Sequence, residues 1–161
     1  MELSTAVFTQ VHVLISLIGI VSGFIVVGGL LTNKRLPGWT ELYLITTIAT
    51  SATGFLFHSK AFGPPHVIGA ISLVILAVAV AARYQYAMAG RARWIYVVTA
   101  LLALYFNSFV AVVQAFQKVS VLNPLAPTGT EPPFAVAQGI LLLAFVGIGV
   151  IAVRNFRPTS A

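Results

Sequence analysis

The stretch VHVLISLIGIVSGFIVVGGLL, residues 11–31, decides the class of this protein. It contains no Asp, Glu, Lys or Arg, and about 20 apolar residues at 1.5 Å each cross the roughly 30 Å hydrocarbon core of a bilayer as one α-helix. The rest of the chain repeats the pattern. An ionised side chain is costly in mid-bilayer, so charged residues act as a ruler. Glu2 and Lys34 enclose 31 residues free of such charges, Glu41 and Lys60 enclose 18, and Lys60 and Arg83 enclose 22. Arg93 and Lys118 enclose 24, and Glu131 and Arg154 enclose 22. Five helices are therefore predicted, at about 11–32, 40–58, 65–84, 94–118 and 133–153, in one all-α integral membrane domain over 1–161.

Composition agrees. Of 161 residues, 59% are hydrophobic and 7% charged, with a mean hydropathy of +1.00, where a soluble domain carries roughly 25% charged residues. Too little charge is present to cover a surface facing water, so lipid is the expected surroundings. The net charge of +6 does not come from a basic run or a single basic helix face, and no nucleic-acid partner is expected. The absence of cysteine excludes disulfides, thiolate metal sites and cysteine catalysis. The start MELSTAVFTQ lacks the basic region of a cleavable signal peptide, so the first helix is expected to remain.

The basic residues instead orient the chain, because short cytoplasmic loops collect Lys and Arg. With the N-terminus outside, the inner side holds Lys34, Arg35, Arg83, Arg91, Arg93, Arg154 and Arg157, and the outer side only Lys60 and Lys118. Trp39, Tyr43, Tyr84, Tyr86, Trp94 and Tyr96 fall near the inner helix ends, where amphipathic rings mark the headgroup region. The longest connector, Asn123 to Pro133, is rich in proline and lies outside.

In this topology His12, His58 and His66 all lie at the outer face. His12, Ser16, Gly19 and Gly23 recur at helical spacing on helix 1, and Thr47, Ser51, Gly54 and His58 on helix 2. His66, Gly69, Ala70, Leu73 and Ala77 form the matching face of helix 3, and Asn107, Ala111 and Gln114 that of helix 4. Small and polar residues on membrane helices face other helices. They predict an outer-half pocket lined by His12, Ser16, Ser51, His58, His66, Asn107, Gln114 and Gln138. Interhelical glue, worth about 0.6 kcal/mol per hydrogen bond, is the competing explanation for each residue taken singly.

Three neutral imidazoles, His12, His58 and His66, could ligate a transition metal, or two could ligate haem axially. Ser16, Ser51, Asn107, Gln114 and Gln138 are the candidate contacts for a small-molecule ligand. No carboxylate lies in the apolar spans to balance a divalent cation, and no methionine-rich copper track exists. A small transporter or channel-forming oligomer, and an accessory subunit of a membrane complex, are the alternatives. The GxxxG spacing of Gly19 and Gly23 suits close packing in either. Hydrolytic chemistry lacks its signatures: there is no G-x-S-x-G, H-E-x-x-H or P-loop.

His12 with the glycine-rich first helix, T-S-A-T-G-F at 50–55 and P-P-H-x-x-G at 64–69 resemble uncharacterised bacterial multi-pass membrane proteins grouped as a domain of unknown function. The likeness spans helices 1 to 4. Residues 107–117, with the later L-A-P-T and E-P-P-F, resemble hypothetical proteobacterial proteins. The resemblance implies a bacterial inner-membrane location and supplies no mechanism.

Overall fold

The computed structural model describes residues 2–57 and 63–157, and every regular element among them is helical. In chain order these are α1 (Glu2–Leu31), α2 (Pro37–Thr53), α3 (Pro64–Val80), α4 (Arg91–Lys118) and α5 (Pro132–Asn155). A 3-10 turn, Gly54–Leu56, prolongs α2, and a π-helical turn, Ala81–Gln85, prolongs α3. Four helices are long and apolar enough to cross a membrane: Ala6–Leu31, His66–Gln85, Arg91–Lys118 and Pro132–Asn155. The protein is an all-α membrane-type helical bundle.

Local chemistry sets the helix ends. Proline opens α2, α3 and α5 at the first helical turn, where its missing N–H removes no intrahelical bond. α1 closes with Asn33 at φ 56° and a Lys34 N–H bond to the Gly29 carbonyl at 2.8 Å, the left-handed stop that ends many helices. α1 starts nine residues before the expected boundary, and the part of it apolar enough to span begins at Ala6. The expected end of helix 2 at His58 lies outside the described residues.

α4 is the central helix, touching the other four, while α1 packs most extensively on α2. Its buried face carries Tyr96, Val97, Ala100, Leu101, Ala103 and Leu104. α5 buries only Gln138, Phe145 and Ala152 and presents Ile140, Leu143, Val146 and Val150 outward, a surface suited to lipid. At one end of the bundle Asn155 Nδ2 donates to the Leu31 carbonyl at 3.1 Å, and the Arg157 N–H donates to Asn33 Oδ1 at 2.8 Å. Arg93 Nη1 donates to the carbonyls of Val153 and Phe156. These bonds bring the ends of α1 and α5 and the start of α4 together.

Two expected interface aromatics are corrected here. Trp39, Tyr84, Tyr86 and Trp94 are exposed as a headgroup belt requires, but Tyr43 and Tyr96 are each 1% exposed. Tyr43 Oη donates to the Ala100 carbonyl at 2.7 Å, so its polar tip is satisfied inside the bundle. Tyr96 packs against Phe156 and Arg83.

Candidate functional site

The site is built on α1, whose face His12–Ser16–Gly19–Gly23 turns to α2 and α4 as its spacing requires. His12 Nδ1 hydrogen-bonds Thr53 Oγ1 of α2 at 2.8 Å, and its ring meets Phe57 edge-on at 4.9 Å. One turn deeper, Ser16 Oγ donates to Asn107 Oδ1 of α4 at 3.0 Å. A further turn down is Gly19. A Cβ there would stand 3.2 Å from both Thr46 Oγ1 and Thr47 Oγ1 and 3.3 Å from Asn107 Nδ2. Three polar atoms from two helices therefore crowd one bare stretch of backbone.

The hydroxyls of α2 are not equivalent. Those of Thr46, Thr50 and Thr53 donate back to the carbonyls of Leu42, Thr46 and Ala49 at 2.6, 2.9 and 2.7 Å, the usual way a helix absorbs them. Thr47 does not. Its side chain is 1% exposed and its Oγ1 is buried with no hydrogen-bond partner, as is Asn107 Nδ2. An orphaned buried polar group costs about 1–3 kcal/mol. Two of them stand beside the same glycine, so interhelical glue is incomplete at this junction.

Below Gly19 the column is closed. A Cβ at Gly23 would meet Leu104 Cδ1 at 2.6 Å and the Tyr43 ring at 3.0 Å, so an aromatic and an aliphatic side chain fill the next turn. Polar groups resume beyond it with Thr40, Tyr96 and Arg83 at the basic end. Composition did not signal this inner group, because Tyr96 and Arg83 fall where interface anchors are expected.

The other expected lining residues divide. His66 caps α3, its Nδ1 accepting the Gly63 N–H at 3.2 Å, and its ring lies 5.7 Å from that of Phe55. Ser51 is on the α3 side of α2, its carbonyl 3.6 Å from a Cβ placed on Gly69. Gln138 Nε2 donates to the Phe109 carbonyl at 3.2 Å, between α5 and α4. Gln114 is exposed on α4 rather than buried between helices, because Phe116, two residues on, takes the buried direction there. His58 lies outside the described residues. His12, Ser16 and Asn107 are thus brought to the α1–α2–α4 junction, while His66 and Ser51 belong to the α2–α3 contact.

Among the described residues no group of three or more His, Cys, Asp or Glu side chains stands together as a metal site. At the opposite, basic end lie a small cavity lined by Lys34, Arg35 and Arg83 and an open surface groove lined by Leu36 to Trp39 with Leu42. No family model matches the chain, and no curated protein and no solved structure matches it.

Proposed function

We propose that this chain is a five-pass protein of a bacterial inner membrane, N-terminus outside, that holds a small uncharged polar ligand between α1, α2 and α4. The carrying observation is the pair of buried, unpartnered groups, Thr47 Oγ1 and Asn107 Nδ2, beside Gly19. A hydroxyl can donate or accept and an amide nitrogen donates, so together they suit a molecule with a carbonyl, hydroxyl or amide. No formal charge stands at this junction to recognise an ion. A haem or metal at the outer histidines has less support, since no group of three or more potential metal ligands stands together among the described residues.

Five crossings are favoured by the reach of α2. Its 17 helical residues and three-residue 3-10 turn span roughly 31 Å, close to the thickness of a hydrocarbon core. Its two ends also face opposite ends of the bundle: Thr53 meets His12, and Thr40 lines the basic cavity. Basic residues gathered at that second end favour it as the cytoplasmic side. The resemblance of segments 50–55 and 64–69 to bacterial membrane proteins is the support for the inner membrane.

Thr47→Val tests the ligand site, because it replaces the orphaned hydroxyl by a methyl of nearly the same size. Thermal unfolding of the detergent-purified protein with a panel of urea, acetamide, glycerol and short polyols should show a saturable rise in Tm for at least one compound. Both Thr47→Val and Asn107→Leu should abolish the rise. If no compound raises Tm and Thr47→Val alone stabilises the protein, by about 1 kcal/mol or more, the junction is an empty packing defect and the proposal fails.

A further inference from the structure

The geometry points to a second site, at the basic end, for an anionic phospholipid: one phosphate oxygen directed to Arg83 and Tyr96, the rest of the group against Lys34 and Arg35, and an acyl chain along the groove at Leu36. A small cavity there is lined by Lys34, Arg35 and Arg83 with the hydroxyl residues Thr40 and Tyr96, and no carboxylate lines it. Three cations around one cavity repel each other unless an anion joins them. Two donors inside are unused. Arg83 Nε is buried without a partner, and Tyr96 Oη, whose polar neighbours are Thr40 and Arg83, completes no hydrogen bond of normal geometry.

The backbone adds an independent observation. An arginine at the cytoplasmic end of a membrane helix ordinarily extends its head into water. Here the π-helical turn Ala81–Gln85 carries Arg83, and its guanidinium carbon is 5.5 Å from the Tyr84 ring centre and 5.4 Å from that of Tyr96. The rings orient the cation without neutralising it. After the turn, Ala87 and Met88 both adopt positive φ, 47° and 57°, a conformation that costs residues with a Cβ about 1 kcal/mol or more each. π-turns and such outliers collect at functional sites.

Size and surroundings select the ligand. The cavity, about 10 Å³, admits a single oxygen atom, so one phosphate oxygen enters while the rest of the group rests against the exposed Lys34 and Arg35. Leu36 is shared with a neighbouring open groove of about 360 Å³ formed with Pro37, Gly38, Trp39 and Leu42. That groove is apolar and lies beside the cationic cavity. A headgroup phosphate bound in the one places its acyl chain beside the other, which free phosphate would leave empty.

The test uses the full chain, delipidated in detergent, with native mass spectrometry and Tm as readouts. Dioleoyl phosphatidylglycerol, dioleoyl phosphatidylcholine and inorganic phosphate are the probes. Phosphatidylglycerol should stay bound and raise Tm, phosphatidylcholine should not, and Arg83→Gln should weaken binding by about tenfold or more. Tyr96→Phe and the surface double variant Lys34→Gln/Arg35→Gln, which leave the packing intact, should each weaken it without lowering the lipid-free Tm. Equal retention of the two lipids, or phosphatidylglycerol binding unchanged in the latter two variants, overturns the site. Inorganic phosphate raising Tm as much as the lipid overturns the lipid assignment.

Discussion

A methyl group at Gly23 would be placed 2.6 Å from Leu104 Cδ1 and 3.0 Å from two carbons of the Tyr43 ring. Leu104 and Tyr43 are each 1% exposed and have little room to yield, and Tyr43 is further fixed by its bond to the Ala100 carbonyl. Gly23→Ala should therefore destabilise the bundle by about 1–3 kcal/mol, the usual cost of overpacking. Gly28, five residues on in the same helix, has nothing within 4 Å of its Cβ position. Gly28→Ala should stay within about 0.5 kcal/mol of the parent. Unfolding equilibria in mixed detergent micelles compare the two, and equal effects would mean that α1 does not approach α2 and α4 through Gly23.

At the level of elements, the connector before α5 carries a charge that holds its own shape. Glu131 accepts from the Thr128 N–H at 3.1 Å, the Thr128 hydroxyl at 2.8 Å and the Thr130 N–H at 3.0 Å, with Gly129 at φ 73° closing the turn. These bonds, that of the Thr128 side chain foremost, hold its carboxyl at about 2, below its ordinary 4.5. A depressed pKa in the folded state means that the contribution is present above about pH 4.5 and is lost as pH falls through about 2. The Thr128 and Thr130 amide resonances should titrate with a midpoint near 2 and lose that titration in Glu131→Gln; a midpoint near 4.5 would show that the turn does not form. The sequence made this connector legible only as proline-rich. The same limit appears in α2 and α3. Spacing alone selected Ser51–Gly54 and Leu73–Ala77 as packed faces, but Gly54 has open space at its Cβ position and Ala77 is exposed. The buried stripes are Tyr43–Thr46–Thr47 and Ser72–Leu76–Ala79. In a helix apolar all round, hydropathy gives length but little rotational phase, and glycines and hydroxyls occur on lipid-facing sides as well. α1 was legible because His12, Ser16, Gly19 and Gly23 fall on one narrow stripe, although Ser22 and Gly28 lie off it. Asn107 was legible as a polar residue deep in a span, whereas the orphaned state of Thr47 depends on its neighbours' hydroxyls turning back to their own carbonyls.

For the whole molecule the decisive quantity is the number of crossings, because it sets which ends share a compartment. Four helices meet the length and hydropathy of a span outright, and α2, rich in threonine and only 17 residues long, is the fifth. If α2 crosses and the N-terminus is outside, as proposed, Gly63 and Ser120 face outward and Thr32 faces the cytoplasm; if α2 does not cross, Gly63 shares the side of Thr32. The chain has no cysteine, so single-cysteine variants can be read directly with a membrane-impermeant maleimide. Gly63 has an extended backbone at φ −123°, and Ser120 and Thr32 are exposed, so all three accept the substitution. Gly63→Cys and Ser120→Cys should be labelled from outside in intact cells, and Thr32→Cys only after permeabilisation. Labelling of Gly63→Cys together with Thr32→Cys would remove α2 from the membrane count. Thr46 and Thr47 are buried inside the bundle, so this face of α2 packs on other helices whichever way the labelling falls. Under the proposed five-pass reading, Thr47 is the point at which the polar column from His12 stops and a ligand would complete it.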